Sequence, residues 1–143
     1  MASISVTRLR LRSFRFFLPF LWYALRSQVQ ARATPGNRGV EVRRHSGAFW
    51  TLTLWDNPSA ARSFVNAGAH KKVMPRLMHW CDEASVATWA GEPERDWDAI
   101  YACMLAEGRL SRVKNPTRAH QEKRYAPMRR WAPEQRIVRA ASS

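Results

Sequence analysis

Four stretches in the first part of the chain show the alternation of side chains, or the short apolar run, that is typical of β-strands. They are residues 4–13, 40–45, 48–55 and 83–91. The stretch AFWTLTLW (48–55) carries apolar side chains at both odd and even positions, so both faces of its sheet should be covered. Only Ser46 and Gly47 separate it from the strand before it, which predicts an antiparallel hairpin.

A first helix is predicted between the first two strands. From Phe17 to Leu25, apolar residues recur at three- and four-residue spacings, and Gln28 continues the same face as its one polar member. Pro19 falls in the first turn, where its missing N–H costs little. The alternation before this run and the polar residues after it favour a strand and a helix that belong to the fold.

The same residues also fit two targeting signals. A ten-residue apolar run followed by Ala-Arg-Ala is compatible with a cleaved signal peptide. The arginine-rich, acid-free residues 1–40 are compatible with a mitochondrial transit peptide. Arginines bracket the run, which is too short for a membrane anchor, so no transmembrane segment is expected.

The second helical stretch lies between the hairpin and the last strand. Asp56 or Asn57 should cap it, Pro58 occupies its first turn, Gly68 interrupts it, and Pro75 should kink its second half. The order β-α-β-β-α-β is the ferredoxin-like arrangement. The sequence therefore predicts an α+β fold with one four-stranded antiparallel sheet and two helices on one face.

The rest of the chain is predicted to form a helix and a basic tail. The helix covers residues 92–108, and Gly108 ends it. Its apolar face comprises Trp97, Ile100, Tyr101, Met104 and Leu105. We assign residues 1–91 to the ferredoxin-like domain, 92–114 to a C-terminal helix and extension, and 115–143 to a basic, mobile tail.

Charge is concentrated at the two ends. Of the formal net charge of +13, +7 falls on residues 1–40, +2 on 41–91 and +4 on 92–143. In the tail, KRYAPMRRW alternates cations with aromatic rings. Nucleic acid or an acidic membrane surface is therefore a candidate partner of the tail.

Several kinds of chemistry have no support in the sequence. Cys81 and Cys103 form no C-x-x-C pair and are too few for a disulfide framework, so a reducing cytoplasm is the expected location. The chain shows no Ser-His-Asp order and no glycine-rich phosphate loop, so hydrolase and nucleotide-binding functions are not expected.

Residues 3–91 resemble the dimeric α+β barrel superfamily that includes the antibiotic-biosynthesis monooxygenases. The resemblance is most specific from Phe49 to His70. Its features are the aromatic strand ending in Trp55, Asp56 in the turn, Phe64 on the helix, Gly68-Ala69-His70, and Trp80 before the last strand. The chain is most similar to a branch of unknown function related to spheroidene monooxygenase.

This resemblance implies a homodimer packed sheet against sheet, with an apolar pocket between each sheet and its helices. Some members oxidise aromatic or polyketide substrates without a cofactor, and others bind or degrade haem. Where haem-degrading members carry a tryptophan, this chain has Phe64, and the spacing to the histidine is shorter. Haem degradation is therefore not expected, whereas the cofactor remains either none or haem.

His70 is the candidate catalytic residue. It follows the break at Gly68, so it should lie at the start of a helical segment near a pocket mouth. An imidazole there can move a proton, or ligate iron if haem is bound. The alternative is that His70 only caps or packs locally.

Seven further residues are candidates for binding the ligand. Five would line the apolar pocket and supply two hydroxyls: Phe49, Thr51, Thr53, Trp55 and Phe64. Arg8 and Arg10 would attract a carboxylate or a haem propionate. The alternatives are aromatic rings that fill a core and a charged strand face or edge.

The expected function is that of a small monooxygenase-like or ligand-binding domain for an apolar molecule, with or without haem. One alternative is a non-catalytic dimeric binding protein. The other is binding of nucleic acid or acidic lipid through the basic ends.

Overall fold

One antiparallel sheet forms the centre of the protein. The computed structural model describes residues 2–91 and 96–125, and the backbone of 135–139. The strands are β1 (Ser3–Leu11), β2 (Asn37–His45), β3 (Ala48–Trp55), β4 (Cys81–Ala90), β5 (Arg109–Leu110) and β6 (Gln135–Arg139). Their order in the sheet is β5-β4-β1-β3-β2-β6.

The predicted ferredoxin-like core is confirmed, but the sheet is larger than four strands. Strands β1 to β4 are those expected from the sequence, and β2 and β3 form the expected hairpin. The two-residue β5 pairs with β4, and β6 pairs with the outer edge of β2. The sequence did not indicate β5, because two residues are too few to show a periodic pattern. It did not indicate β6, because that strand pairs with β2, which is far from it along the chain.

Helices connect and cover the strands. Within the described residues they are α1 (Phe17–Ala33), α2 (Pro58–Val65), α3 (Gly68–Trp80), α4 (Trp97–Glu107) and α5 (Arg118–Gln121). Asn57 caps α2 as predicted, since its side chain accepts a hydrogen bond of 2.9 Å from the Ala60 N–H. None of the described helices combines the length and the hydropathy needed to cross a bilayer.

The sheet is covered on both faces within one chain. Helices α1, α2 and α3 pack on the face that carries Phe49 and Trp55. On the opposite face, α4 and Tyr125 pack with residues of β1, β3 and β4. The resemblance implied that a second subunit packs against the sheet, and α4 occupies this face here. The homodimer stays a prediction.

The first residues of the predicted tail pack on the sheet. Thr117 caps α5, and His120 and Tyr125 are both buried. The Ala84 N–H donates to His120 Nδ1 at 3.3 Å, and the Tyr125 hydroxyl lies 3.0 Å from Ser85 Oγ. Residues 115–125 therefore differ from the mobile tail that was predicted. Most of KRYAPMRRW lies outside the described residues.

Candidate functional site

A row of hydroxyl groups crosses the sheet face on which α1 packs, and Thr88 at its β4 end is exposed. It consists of Ser5, Thr7, Thr51, Thr53 and Thr88, here called the hydroxyl band. Within the band, Ser5 lies opposite both Thr53 and Thr88, because β1 is the strand between β3 and β4. The Ser5 and Thr88 hydroxyls are 3.4 Å apart. Polar groups therefore occupy the middle of a face whose ends are apolar.

Aromatic clusters bound the hydroxyl band at both ends. Phe49 packs against Phe20 of α1, with ring centroids 5.0 Å apart. Trp55 stacks on Phe64 of α2 at 5.3 Å. Phe49 and Trp55 are six residue steps apart along the extended strand, a span of ~20 Å. A ligand with apolar ends and polar groups at its centre would match the sequence of aromatic cluster, hydroxyl band and aromatic cluster along this face.

Helix α1 places two polar side chains above the same region. Its Phe20 reaches the Phe49 cluster and its Ala31 belongs to the Trp55 cluster, so Ser27 and Gln28 lie between the two. Gln28 is only 8% exposed. Among the described residues, Ser27 Oγ and Gln28 Oε1 have no hydrogen-bond partner. An unsatisfied buried polar atom costs about 1–3 kcal/mol, so a group that pairs with Ser27 or Gln28 would be stabilised there.

His70 lies at the start of α3 beside the Trp55 cluster. Its ring packs against Phe64 with centroids 4.6 Å apart, and its Nδ1 lies 3.3 Å from the Val65 carbonyl oxygen. A carbonyl only accepts, so Nδ1 carries the proton and Nε2 keeps its lone pair. Burial lowers the pKa of His70 from its ordinary value of 6.5, so the neutral ring predominates at pH 7.

Gln30 of α1 holds the segment that carries His70. The Gln30 amide nitrogen donates to the Phe64 and Ala67 carbonyl oxygens, and its Oε1 accepts from the His70 N–H at 3.0 Å. Gly68 has φ of +57°, and a Cβ there would lie 3.0 Å from the Gln30 side chain. Glycine is therefore required for this connection, which explains its place in the Gly68-Ala69-His70 segment.

Arg8 and Arg10 do not join this site. They lie on the opposite face of the sheet, where Arg8 is buried and pairs with Glu83 at 3.5 Å. Arg10 lies 3.0 Å from Glu83 and 3.7 Å from Asp82. Burial raises the pKa of Asp82, and the positive charge of Arg10 opposes that rise. These arginines neutralise carboxylates within the fold, and β1 is a central strand with no open edge.

The structure thus groups some of the predicted site residues and separates others. Trp55, Phe64 and His70 form one contact group, and Thr51 and Thr53 share their sheet face. Phe49 lies at the far end of that face. Sequence reasoning missed Ser5, Thr7, Thr88 and Ser27. The polar Gln28 in an otherwise apolar helix face was the available sequence signal that α1 contributes a polar side chain to the site.

Comparisons with known proteins identify the fold. The chain matches no protein-family model and no curated protein. Rv0793 from Mycobacterium tuberculosis has a similar structure, with a TM-score of 0.60 and 11% identity over 67% of this chain and 100% of Rv0793. A variant of SnoaB, described as a cofactor-independent oxygenase from Streptomyces nogalater, has a TM-score of 0.53 and 12% identity over 66% of this chain and 97% of its own.

A further structure, named an antibiotic biosynthesis monooxygenase, has a TM-score of 0.56 and 11% identity over 65% of this chain and 100% of its own. At identities this low, the structural similarity establishes a shared fold only, and any activity must be argued from the residues of the site. The link to spheroidene monooxygenase stays a prediction. The chain has the ferredoxin-like α+β fold of the antibiotic-biosynthesis monooxygenases, as its sequence resemblance predicted.

Proposed function

We propose that the hydroxyl band binds a small aromatic molecule with carbonyl or hydroxyl groups, and that His70 accepts a proton from it during oxygenation without a cofactor. The observation that carries this proposal is the unsatisfied Gln28 Oε1 above a row of hydroxyls between two aromatic clusters. A packed core would place apolar side chains there. A ligand hydroxyl would satisfy the amide oxygen.

The proposed reaction needs a base and an electron-rich substrate. An activated methylene first gives a proton to His70 Nε2, and the resulting carbanion supplies electrons to O2 and forms a C–O bond. The proton then returns to give a hydroperoxide, which loses water and leaves a ketone. The balance is R2CH2 + O2 giving R2CO + H2O. Burial lowers the pKa of His70 and so keeps the ring neutral and ready to accept the proton.

Likeness to SnoaB supports the oxygenase class for this chain, since the two share a fold. A haem-linked function is the second candidate. The hydrogen bond from His70 Nδ1–H to a backbone carbonyl favours it, because metal-bound histidines are commonly oriented in this way.

Anthrone is a suitable probe, because it combines three rings, a carbonyl and an acidic methylene. We expect it to quench tryptophan fluorescence on binding. Thr51→Val should weaken binding about 5- to 10-fold, the usual effect of one lost hydrogen bond, whereas Thr51→Ser should retain it. Gln28→Met should weaken binding of a hydroxyanthrone, whose hydroxyl can donate to Gln28 Oε1, while leaving the protein as stable or more stable. Unchanged affinity in Thr51→Val and Gln28→Met would contradict the proposed site.

Oxygen uptake with anthrone tests His70. His70→Gln should lower kcat at least ~100-fold with a smaller change in KM, because general-base catalysis contributes at that level. Uptake that persists in His70→Gln would exclude His70 as the base. A Soret band that appears on haem addition in the native protein and disappears in His70→Gln would instead assign His70 to iron.

A further inference from the structure

An exposed row of apolar side chains runs along the outer side of α1 and the turn that precedes it. It consists of Phe14, Leu18, Trp22, Leu25 and Val29, here called the apolar stripe. Their exposed fractions range from 44% to 84%. The spacing of three or four residues places them on one side of the helix, opposite the buried Phe20, Gln28 and Ala31. Sequence spacing had placed Leu25 on the buried face.

The ionised side chains around the apolar stripe are all cations. The helical layer, defined as residues 12–33 and 58–80, contains eight arginines and lysines and no carboxylate. They are Arg12, Arg15, Arg26, Arg32, Arg62, Lys71, Lys72 and Arg76. All except the half-buried Arg12 are exposed. Elsewhere in the described structure, Arg8, Arg10 and Arg38 pair with carboxylates.

One cation contacts the stripe, and a second contacts a residue next to it in the sequence. Arg26 lies over the Trp22 ring at 5.3 Å. Arg76 of α3 lies over Tyr23, the neighbour of Trp22, at 5.2 Å. From Leu18 to Val29 the stripe extends ~16 Å along the helix. Apolar residues with a tryptophan, flanked by arginines, match the boundary between lipid headgroups and acyl chains.

We infer that the helical layer docks on an anionic lipid bilayer, with the apolar stripe inserted among the headgroups and the flanking cations on lipid phosphates. Helix α1 would lie in the plane of the surface, because its other side is fixed to the sheet. This membrane function is separate from ligand binding under α1 and uses the opposite side of the same helix.

Charge and shape disfavour other occupants. Two copies of this chain joined through the helical layer would bring sixteen cations together without a carboxylate, twice the eight in one copy. Nucleic acid would satisfy the cations but leave Leu18, Leu25 and Val29 against a charged backbone. A bilayer provides phosphate and hydrocarbon side by side.

Vesicle co-sedimentation tests the inference. The 143-residue chain should bind phosphatidylcholine vesicles with about 25% phosphatidylglycerol more than ~10-fold tighter than pure phosphatidylcholine vesicles. Raising NaCl from about 50 mM to about 500 mM should weaken binding by a similar factor. Failure to bind the anionic vesicles, or equal binding to both kinds, would overturn it.

Matched variants locate the surface. Leu18→Ser with Trp22→Ser, and separately Arg26→Glu with Arg76→Glu, should each reduce vesicle binding at least ~10-fold. The controls are Leu105→Ser with Leu110→Ser, and Arg109→Glu with Arg112→Glu, at exposed positions outside the helical layer. They should bind as the native protein does. All variants change exposed residues, and circular dichroism checks that they fold.

Two results would show that the helical layer is not a membrane-binding surface. Equal losses in the control variants would show general electrostatic binding. Tighter binding to a DNA duplex than to vesicles, unaffected by Leu18→Ser with Trp22→Ser, would show that the helical layer is a nucleic-acid surface.

Discussion

At the scale of single residues, His120 shows how the C-terminal segment is joined to the sheet. Its Nδ1 accepts from the Ala84 N–H, which requires the neutral ring with its proton on Nε2. Burial lowers the pKa of His120 from 6.5, and Arg8 lowers it further. The negative charges of Glu83 and Asp82 and a backbone hydrogen bond to Ser111 act in the opposite direction.

This environment predicts a pH-dependent stability. Below pH 6.5 the unfolded chain binds a proton at His120 more readily than the folded one, so the free energy of unfolding should fall between pH 7 and pH 5. His120→Gln keeps an acceptor for the Ala84 N–H but does not titrate. Urea unfolding should therefore show a smaller decrease in this variant. Equal decreases in both proteins would show that His120 is not the group responsible.

At the scale of elements, the periodicity of apolar residues in α4 predicted a helix but did not specify which surface it packs against. Periodicity identified its apolar residues, and Trp97, Ile100 and Met104 are buried as expected. Leu105, assigned to the same face, is exposed. The helix packs on the sheet face that otherwise would be open to water, so it belongs to the same core as the first four strands.

Ile100→Asp tests that position. Ile100 is 0% exposed, and an unpaired carboxylate there should lower the free energy of unfolding by several kcal/mol or prevent folding. Ala102→Asp, at an exposed position of the same helix, should change it by less than about 0.5 kcal/mol. An unchanged urea midpoint in Ile100→Asp would mean that α4 does not cover the sheet.

At the scale of the whole molecule, the two layers of helix differ in what they leave exposed. The helical layer is cationic with an apolar stripe, whereas α4 and Tyr125 complete a core on the other side of the sheet. A dimer packed sheet against sheet must therefore displace α4 or pack on it. The resemblance to dimeric α+β barrels nevertheless favours a homodimer.

Sedimentation equilibrium at micromolar concentration decides between these states. We expect a mass near twice the 16.5 kDa of one chain. A mass near 16.5 kDa would contradict the homodimer and would show that α4 takes the place of a second subunit.

The sequence by itself determined the main elements and the order in which they occur. Two-residue alternation in β1 and three- to four-residue spacing in α1 record locally which side chains are buried, and the apolar positions on both faces of β3 match its burial. Asn57, Pro58 and Gly68 mark helix ends for local reasons as well. These signals, with the resemblance, were enough for the ferredoxin-like core and for grouping Trp55, Phe64 and His70.

Only the tertiary structure decided which element packs against each face of a strand or helix. Alternation showed that Arg8 and Arg10 share one side of β1, but β1 proved central, and β4 supplied Glu83 to pair with them. The hydroxyl band likewise requires three strands to come into register. The order of the strands, the edge strands and the position of α4 on the sheet depend on contacts between residues far apart in the chain. Local periodicity carries no information about such contacts, because it reports burial and not the identity of the partner.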